Sequence, residues 1–328
     1  MTKTKAVFLF HLLLYCSIEI LFQSTLCSSH KMAETTTTTT AAAAANNKVI
    51  ELKGPILVIG AGWCGERLCI SSPDVFVATS RSQIKVDQLK ERGVVNAIHL
   101  DLKDESTWSN VPTNLTGAVL TFALATEDFP ALQKFWEVHL ANIHVICYST
   151  TSVYGMEVRT DDTPTCGSVV DEKSPLTGVG VSGKSLSDRI EAEEFALQKG
   201  ACILHLSGIC GDVEDGRSPA FIMKHMTNSL RNINYIHITD IIQITSLFVS
   251  DGRGSGHRVC VSSGAYTVGD ICAVLGLEGG DVPPANPPPS KDLLPNKLIA
   301  NDFLRSMLPK GYTFTPPLPG LLSIHSTL

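Results

Sequence analysis

A chain of 328 residues has room for one large α/β domain or two modest ones, and it is long enough to bury a core. Hydrophobic residues at 44% and charged residues at 18% fit a globular protein and exclude disorder over most of the length. A formal net charge of -6, with no basic stripe interleaved with aromatics, argues against a nucleic-acid partner.

Residues 1–47 read differently from the rest. Lys3 and Lys5 precede an apolar stretch, Ala6 to Phe22, broken by His11 and Glu19, and small polar residues follow through Ser28 and Ser29. That is the layout of a secretory signal, too short and too interrupted for a stable membrane span. After Met32, itself an alternative start, come threonines Thr35 to Thr40 and alanines Ala41 to Ala45. This hydroxyl-rich tract is closer to an organelle transit peptide or a disordered leader. The expected destination is a plastid or other organelle, with the cytoplasm and the secretory pathway as alternatives.

The first strand is predicted at Pro55 to Gly60, a continuous apolar run of the kind buried on both faces of a parallel sheet. It runs into Gly60-Ala61-Gly62-Trp63-Cys64-Gly65, a G-x-G-x-x-G, and then into a helix-compatible stretch, Glu66 to Ile70. Strand before and helix after are the context in which this motif binds a dinucleotide. Gly60 permits the tight turn, Gly62 admits the pyrophosphate, and Gly65 lets helix and strand pack closely. Trp63 and Cys64 lie where helix-opening N–H groups meet the phosphates. Cys64 at a helix start admits a lowered thiol pKa, against the plainer reading of a small residue in a tight turn.

A second strand, Val75 to Thr79, ends in Thr79-Ser80-Arg81. An acidic residue there would hold the ribose hydroxyls of NAD; Arg81 instead suits the 2′-phosphate of NADP, so NADP is the expected cofactor, with NAD second. The alternation continues with helix Gln83 to Arg92 and strand Ala97 to Leu100, which ends at Asp101, a further cofactor-side candidate. Strand Ala118 to Ala123, helix Pro130 to Leu140 and strand His144 to Ser149 follow. Strands and helices trading places predict an α/β fold, a doubly wound parallel sheet of the NAD(P)-binding Rossmann type. The ten cysteines form no C-x-x-C pair and no His cluster has zinc spacing, so no metal site is expected. Cys147, Cys202, Cys260 and Cys272 sit in apolar runs, as free thiols do.

At Tyr148-Ser149-Thr150-Thr151-Ser152-Val153-Tyr154-Gly155 the chain resembles the extended short-chain dehydrogenases/reductases, the epimerase/dehydratase-like group. Ile203 to Gly211 looks like that family's sixth strand and Gly-Ile-Tyr-Gly turn, with Cys210 replacing the tyrosine and either lining the pocket or packing. Tyr235 to Asp240 resembles its Ile-His-x-x-Asp segment. Asn296-Lys297 and Pro317 to Leu321 resemble its C-terminal substrate side. The likeness runs from about Lys48 to Leu322. It implies an NADP(H)-binding oxidoreductase or epimerase-like enzyme acting on a small molecule that the residues do not name.

The family's catalytic pair is Tyr-x-x-x-Lys, and here the tyrosine is missing. Aligning Arg189-Ile190-Glu191-Ala192-Glu193 with the family's Lys-Leu-x-x-Glu puts Ser185 at the tyrosine and Arg189 at the lysine. Taking Lys184 as the lysine puts Gly180 at the tyrosine. Neither arrangement supplies a proton donor of suitable pKa. The resemblance is thus to an atypical branch. Thr150 fills the Ser/Thr position, Arg189 can bind phosphate or stabilise an oxyanion, and Tyr154 is the nearest phenol. His205, mid-strand, and His237 are expected as satisfied core histidines. A non-catalytic dinucleotide-binding sensor or scaffold is the alternative.

Gly178 to Ser185 matches the P-loop pattern G-x-x-x-x-G-K-[ST], but charged, proline-broken residues precede it where a P-loop needs a buried strand. An NTPase is the remote alternative. The expected organisation is a leader over 1–47, an NADP-binding core over 48–211, and remaining Rossmann elements with a small substrate lobe over 212–328. No nucleic acid and no stable membrane span are expected as partners; a homodimer remains open.

Overall fold

Successive side chains on a strand point to opposite faces, so a strand covered by helices on both sides must be apolar throughout. The computed structural model bears this out. It describes residues 52–124, 129–154, 168–177, 186–212, 216–220, 226, 228–285 and 297–321, all in the unit that begins at Val49. The leader read over 1–47, Gly155, the Gly178 to Ser185 segment and Asn296 lie outside them.

Numbered along the chain, the strands are β1 (Ile56–Ile59), β2 (Phe76–Ser80), β3 (Ala97–His99), β4 (Gly117–Leu120), β5 (His144–Thr150), β6 (Ser168–Val170), β7 (Cys202–Leu206), β8 (Gly208–Cys210), β9 (Asn232–His237), β10 (Arg258–Val261), β11 (Gly264–Thr267) and β12 (Lys297–Ile299). Seven of them form one parallel sheet in the order β10-β7-β5-β4-β1-β2-β3. The order reverses between β1 and β4, and that switch point is where open α/β sheets bind ligands, at the carboxyl ends of the strands. The fold is the expected doubly wound sheet.

Helices cover both faces. In β1, Ile56 and Val58 join a core with Leu68 of α1 (Trp63–Ser71), Val86 and Leu89 of α2 (Gln83–Glu91), and Ile241, Ile244 and Phe248 of a later helix. Leu57 and Ile59 face the other way. They meet Leu132 and Phe135 of α3 (Phe129–Phe135), Trp136 of the π-helical turn that continues it, and Ala192 and Ala196 of α4 (Ser187–Gln198).

The chain beyond Gly211 is more regular than its sequence suggests. It contributes β10 to the main sheet and a 14-residue helix, α5 (Ile238–Asp251), to its first face. His237 caps α5, its Nδ1 accepting the Thr239 N–H at 3.3 Å, and Gly252 ends it in the left-handed conformation, φ 73°. Buried Asp240 in the first turn accepts from the Tyr312 hydroxyl at 2.8 Å and the Thr315 N–H at 2.9 Å, strapping the C-terminal segment to the helix. Burial pushes the Asp240 carboxyl up to about 6.

The remaining strands form a lobe. Only Ser207 separates β7 from β8, so the three-stranded sheet β11-β9-β8 grows directly from the carboxyl end of the main sheet. Helix α6 (Val268–Val274) packs on it, Val268 and Ile271 joining Tyr235 and Tyr266 in a separate core. A short parallel pair, β6 with β12, and α7 (Asp302–Met307) complete the described chain. No described helix is long and apolar enough to cross a membrane.

Candidate functional site

The glycine-rich turn occupies the carboxyl end of β1. Gly60 has φ 86°, a conformation that side chains resist, and the Gly62 N–H donates back to its carbonyl at 2.6 Å. Thr79 on β2 and Thr121 after β4 hold the turn from both flanks. The Ala61 N–H donates to the Thr79 carbonyl at 3.0 Å, and the Thr121 hydroxyl donates to the Gly60 carbonyl.

The other two glycines differ in what they permit. A Cβ on Gly65 would lie 2.9 Å from Thr121 Oγ1 and 3.2 Å from both the Gly60 carbonyl oxygen and Val58 Cγ1, so only glycine lets α1 lie this close to the sheet. A Cβ on Gly62 would meet nothing nearer than the Gly60 oxygen at 3.8 Å. Space therefore opens above the turn where a pyrophosphate needs the backbone bare. Gly62 is the N-cap of α1 and offers no side chain to the helix-opening amides, which leaves them to a ligand.

Trp63 begins α1, with its indole Nε1 buried and lacking an acceptor among the described residues. Cys64 is half-buried; burial pushes its thiol up to about 11, against a downward pull from Arg217 and Arg67. Desolvation thus acts against the lowered thiol pKa that a helix start admits. Arg81 follows β2 on the exposed rim, its carbonyl 3.2 Å from His99 Nε2. Asp101 follows β3 and is tied into a turn, Oδ1 accepting the Lys103 N–H at 3.0 Å.

Thr150 closes β5. Its hydroxyl accepts the Ser152 N–H at 3.2 Å and donates to Ser152 Oγ at 3.1 Å. Tyr154 turns into the core instead. Its hydroxyl lies 2.8 Å from His205 Nδ1 and accepts from the Cys260 thiol at 3.4 Å, and burial pushes its pKa well above the ordinary phenol range. The two hydroxyls belong to separate hydrogen-bond groups. Arg189 lies in the first turn of α4, its Nε buried without a partner among the described residues. Ser185, Lys184 and Gly180 lie outside those residues, as does the whole P-loop-like segment; the strand ahead of it, β6, pairs with β12 and ends eight positions before Gly178.

A buried polar network beneath the site was not foreseen as a unit. Glu193 of α4 accepts from Ser149 Oγ at 2.5 Å, from His205 Nε2 at 2.9 Å and from Arg258 Nε at 3.1 Å. Burial alone would raise its carboxyl, but these donors together hold it below the usual range. The His205 ring bridges the Glu193 carboxylate through Nε2 and the Tyr154 hydroxyl through Nδ1. Both histidines singled out in the sequence are thus partnered, His205 here and His237 as a helix cap.

Two side chains near the strand ends were not among the candidate site residues, although Lys297 lies in a segment read from the sequence as the substrate side. Ser207, after β7, keeps a buried hydroxyl without a partner among the described residues. Lys297 of β12 donates to the Thr151 carbonyl at 2.6 Å, and burial lowers its ammonium to about 8. Cys210 packs in the lobe core rather than lining a pocket, fully buried.

No protein-family model and no curated protein matches this chain. Solved structures do. A functionally unknown conserved protein from Silicibacter pomeroyi is 20% identical with a TM-score of 0.58, covering 81% of this chain and 95% of its own. Yeast methylglyoxal/isovaleraldehyde reductase Gre2, solved with NADPH, is 14% identical with a TM-score of 0.58, covering 80% and 94%. The dTDP-glucose 4,6-dehydratase of Bacillus anthracis, solved with NAD, is 16% identical with a TM-score of 0.54, covering 80% and 93%. At such identities the likeness establishes the fold alone, a doubly wound α/β sheet of the Rossmann type.

Proposed function

We propose that this protein binds NADP(H) on the Gly60–Gly65 turn and acts as an oxidoreductase on a small carbonyl or hydroxyl compound. The observation that carries the reading is the pairing of a bare, open Gly62 with a Gly65 that no other residue can replace, at the switch point of the sheet. Gly60, Gly62, Trp63, Cys64 and Gly65 would hold the pyrophosphate, Arg81 the 2′-phosphate, and Asp101 the neighbouring rim. NADPH, when bound, supplies a hydride. Structures of the same fold solved with NADPH or NAD support the cofactor class.

The chain's own residues do the rest. Thr150 orients a substrate oxygen at the end of β5, and Arg189 offers a fixed positive charge to a developing oxyanion. Lys297 brings a proton close to neutral pH to the same strand end, which suits an enzyme without the family's tyrosine.

One observation favours a second reading, a non-catalytic dinucleotide-binding protein: the hydroxyl of Tyr154 is committed to the core. A decisive experiment follows NADPH absorbance with the purified protein and a panel of aldehydes and ketones, with direct NADPH and NADH titrations of wild type and Arg81→Ala. The oxidoreductase reading expects turnover of at least one carbonyl and NADPH binding weakened selectively by Arg81→Ala. Binding without turnover across the panel would favour the second reading. No binding would overturn both.

A further inference from the structure

The glycine turn does not face the ligand alone. Trp63, the first residue of α1, has two cations at its ring. Arg67, one turn along the same helix, holds its guanidinium carbon 4.1 Å from the indole centroid and donates from Nη1 to the Trp63 carbonyl at 3.3 Å. Arg217 holds its guanidinium carbon 4.7 Å from the same centroid.

Arg217 arrives from elsewhere in the fold. It follows β8, the first strand of the C-terminal lobe, and its carbonyl accepts the Gly211 N–H at 3.3 Å, which closes the loop that carries it. The lobe therefore sends one arginine across to the nucleotide turn. Both guanidinium charges also act on the thiol of the next residue, Cys64. The indole Nε1 is buried without an acceptor among the described residues. In a chain of net charge -6, two guanidinium groups gathered on the ring that opens α1 concentrate positive charge there.

We infer that Arg217 is a pyrophosphate-binding residue, stacked in advance on Trp63, through which the C-terminal lobe grips the dinucleotide. Stacking on the indole holds the guanidinium in place while its N–H fork stays available to phosphate oxygens. The role is distinct from that of Arg81. Arg81 meets the 2′-phosphate, present only in NADP(H), whereas Arg217 meets the pyrophosphate that NADPH and NADH share. The inference rests on the proposed dinucleotide site.

The test titrates wild type, Arg217→Ala, Arg217→Lys and Arg81→Ala with NADPH, NADH and adenosine 2′,5′-bisphosphate, which lacks the pyrophosphate. Arg217 is exposed, so an unchanged thermal midpoint will show that the variants fold. Arg217→Ala is expected to weaken NADPH and NADH alike, by about tenfold, the worth of one charge-assisted hydrogen bond. Its effect on the bisphosphate, which keeps the adenosine 5′-phosphate but lacks the second phosphate, should be smaller than on either dinucleotide. Arg217→Lys should recover part of the loss, and Arg81→Ala should weaken NADPH and the bisphosphate while sparing NADH. Wild-type affinities in Arg217→Ala would overturn the inference while leaving the dinucleotide site standing. So would a loss confined to NADPH, which would move Arg217 to the 2′-phosphate. If wild type binds neither dinucleotide, the site itself fails and the inference falls with it.

Discussion

Glu193 is fully buried, and three donors from three elements converge on it: Ser149 from β5, His205 from β7 and Arg258 from β10. A buried carboxylate is tolerated only when its neighbours replace the water it has lost. Glu193→Ala removes the shared acceptor and leaves an arginine and two polar groups facing an empty site, which is expected to cost about 3–5 kcal/mol. Glu193→Gln keeps the shape and one acceptor oxygen and should cost less. The pH dependence has a definite sign. The carboxyl is held below its ordinary value of 4.5 in the folded state, so its stabilisation is present above that value and lost as pH falls through the lower folded pKa. Urea denaturation at pH 7 and on acidification should show the gap between wild type and Glu193→Gln closing at low pH. A gap independent of pH would mean that the carboxylate is not the ionised centre of the network.

At the scale of elements, the turn from β1 into α1 separates two kinds of glycine. Gly65→Ala drives a Cβ into Thr121, Val58 and the Gly60 carbonyl and should destabilise the protein by about 1–3 kcal/mol as α1 is pushed from the sheet. Gly62→Ala meets open space at φ -79°, an ordinary backbone conformation. It should change stability by no more than about 0.5 kcal/mol while lowering dinucleotide affinity. Thermal melts beside NADPH titrations of the two variants check this, and a stability loss at Gly62 equal to that at Gly65 would contradict it. The same turn shows what a sequence discloses. The apolar run of β1 and the spacing of Gly60, Gly62 and Gly65 are local signals, and the structure places strand, turn and helix where they were expected. Helix α1 nevertheless begins at Trp63 rather than Glu66, because the motif's own residues form its first turn. Strands β6 and β12, three residues each, carry too little apolar pattern to be recognised and exist through pairing with each other. Helix α5 does carry an apolar face, but it begins inside the segment read as Tyr235 to Asp240 and was obscured by it. The Glu193 network and the Arg217 contact on Trp63 join residues far apart in sequence, and no local periodicity reports such meetings.

For the whole molecule, a dinucleotide held as proposed by both the sheet and the lobe would link binding to global stability. A ligand that binds only the folded state stabilises it by RT ln(1 + [L]/Kd), about 2.7 kcal/mol at a hundredfold excess over Kd. For a domain of this size each kcal/mol moves the thermal midpoint by roughly 2–4 °C, so saturating NADPH should raise it by several degrees. At equal concentrations NADH should raise it less, because Arg81 has no 2′-phosphate to meet, and Arg81→Ala should bring the two shifts together. The comparison also tests the P-loop-like segment, residues 178–185. The dinucleotide reading expects no stabilisation by ATP with Mg²⁺, whose triphosphate does not suit a turn built around a pyrophosphate. A midpoint raised by ATP with Mg²⁺ and unmoved by NADPH would transfer the nucleotide site from the Gly60 turn to that segment. A midpoint raised by NADPH and lowered toward the unliganded value in Gly62→Ala would tie the gain in stability to the open turn at the end of β1.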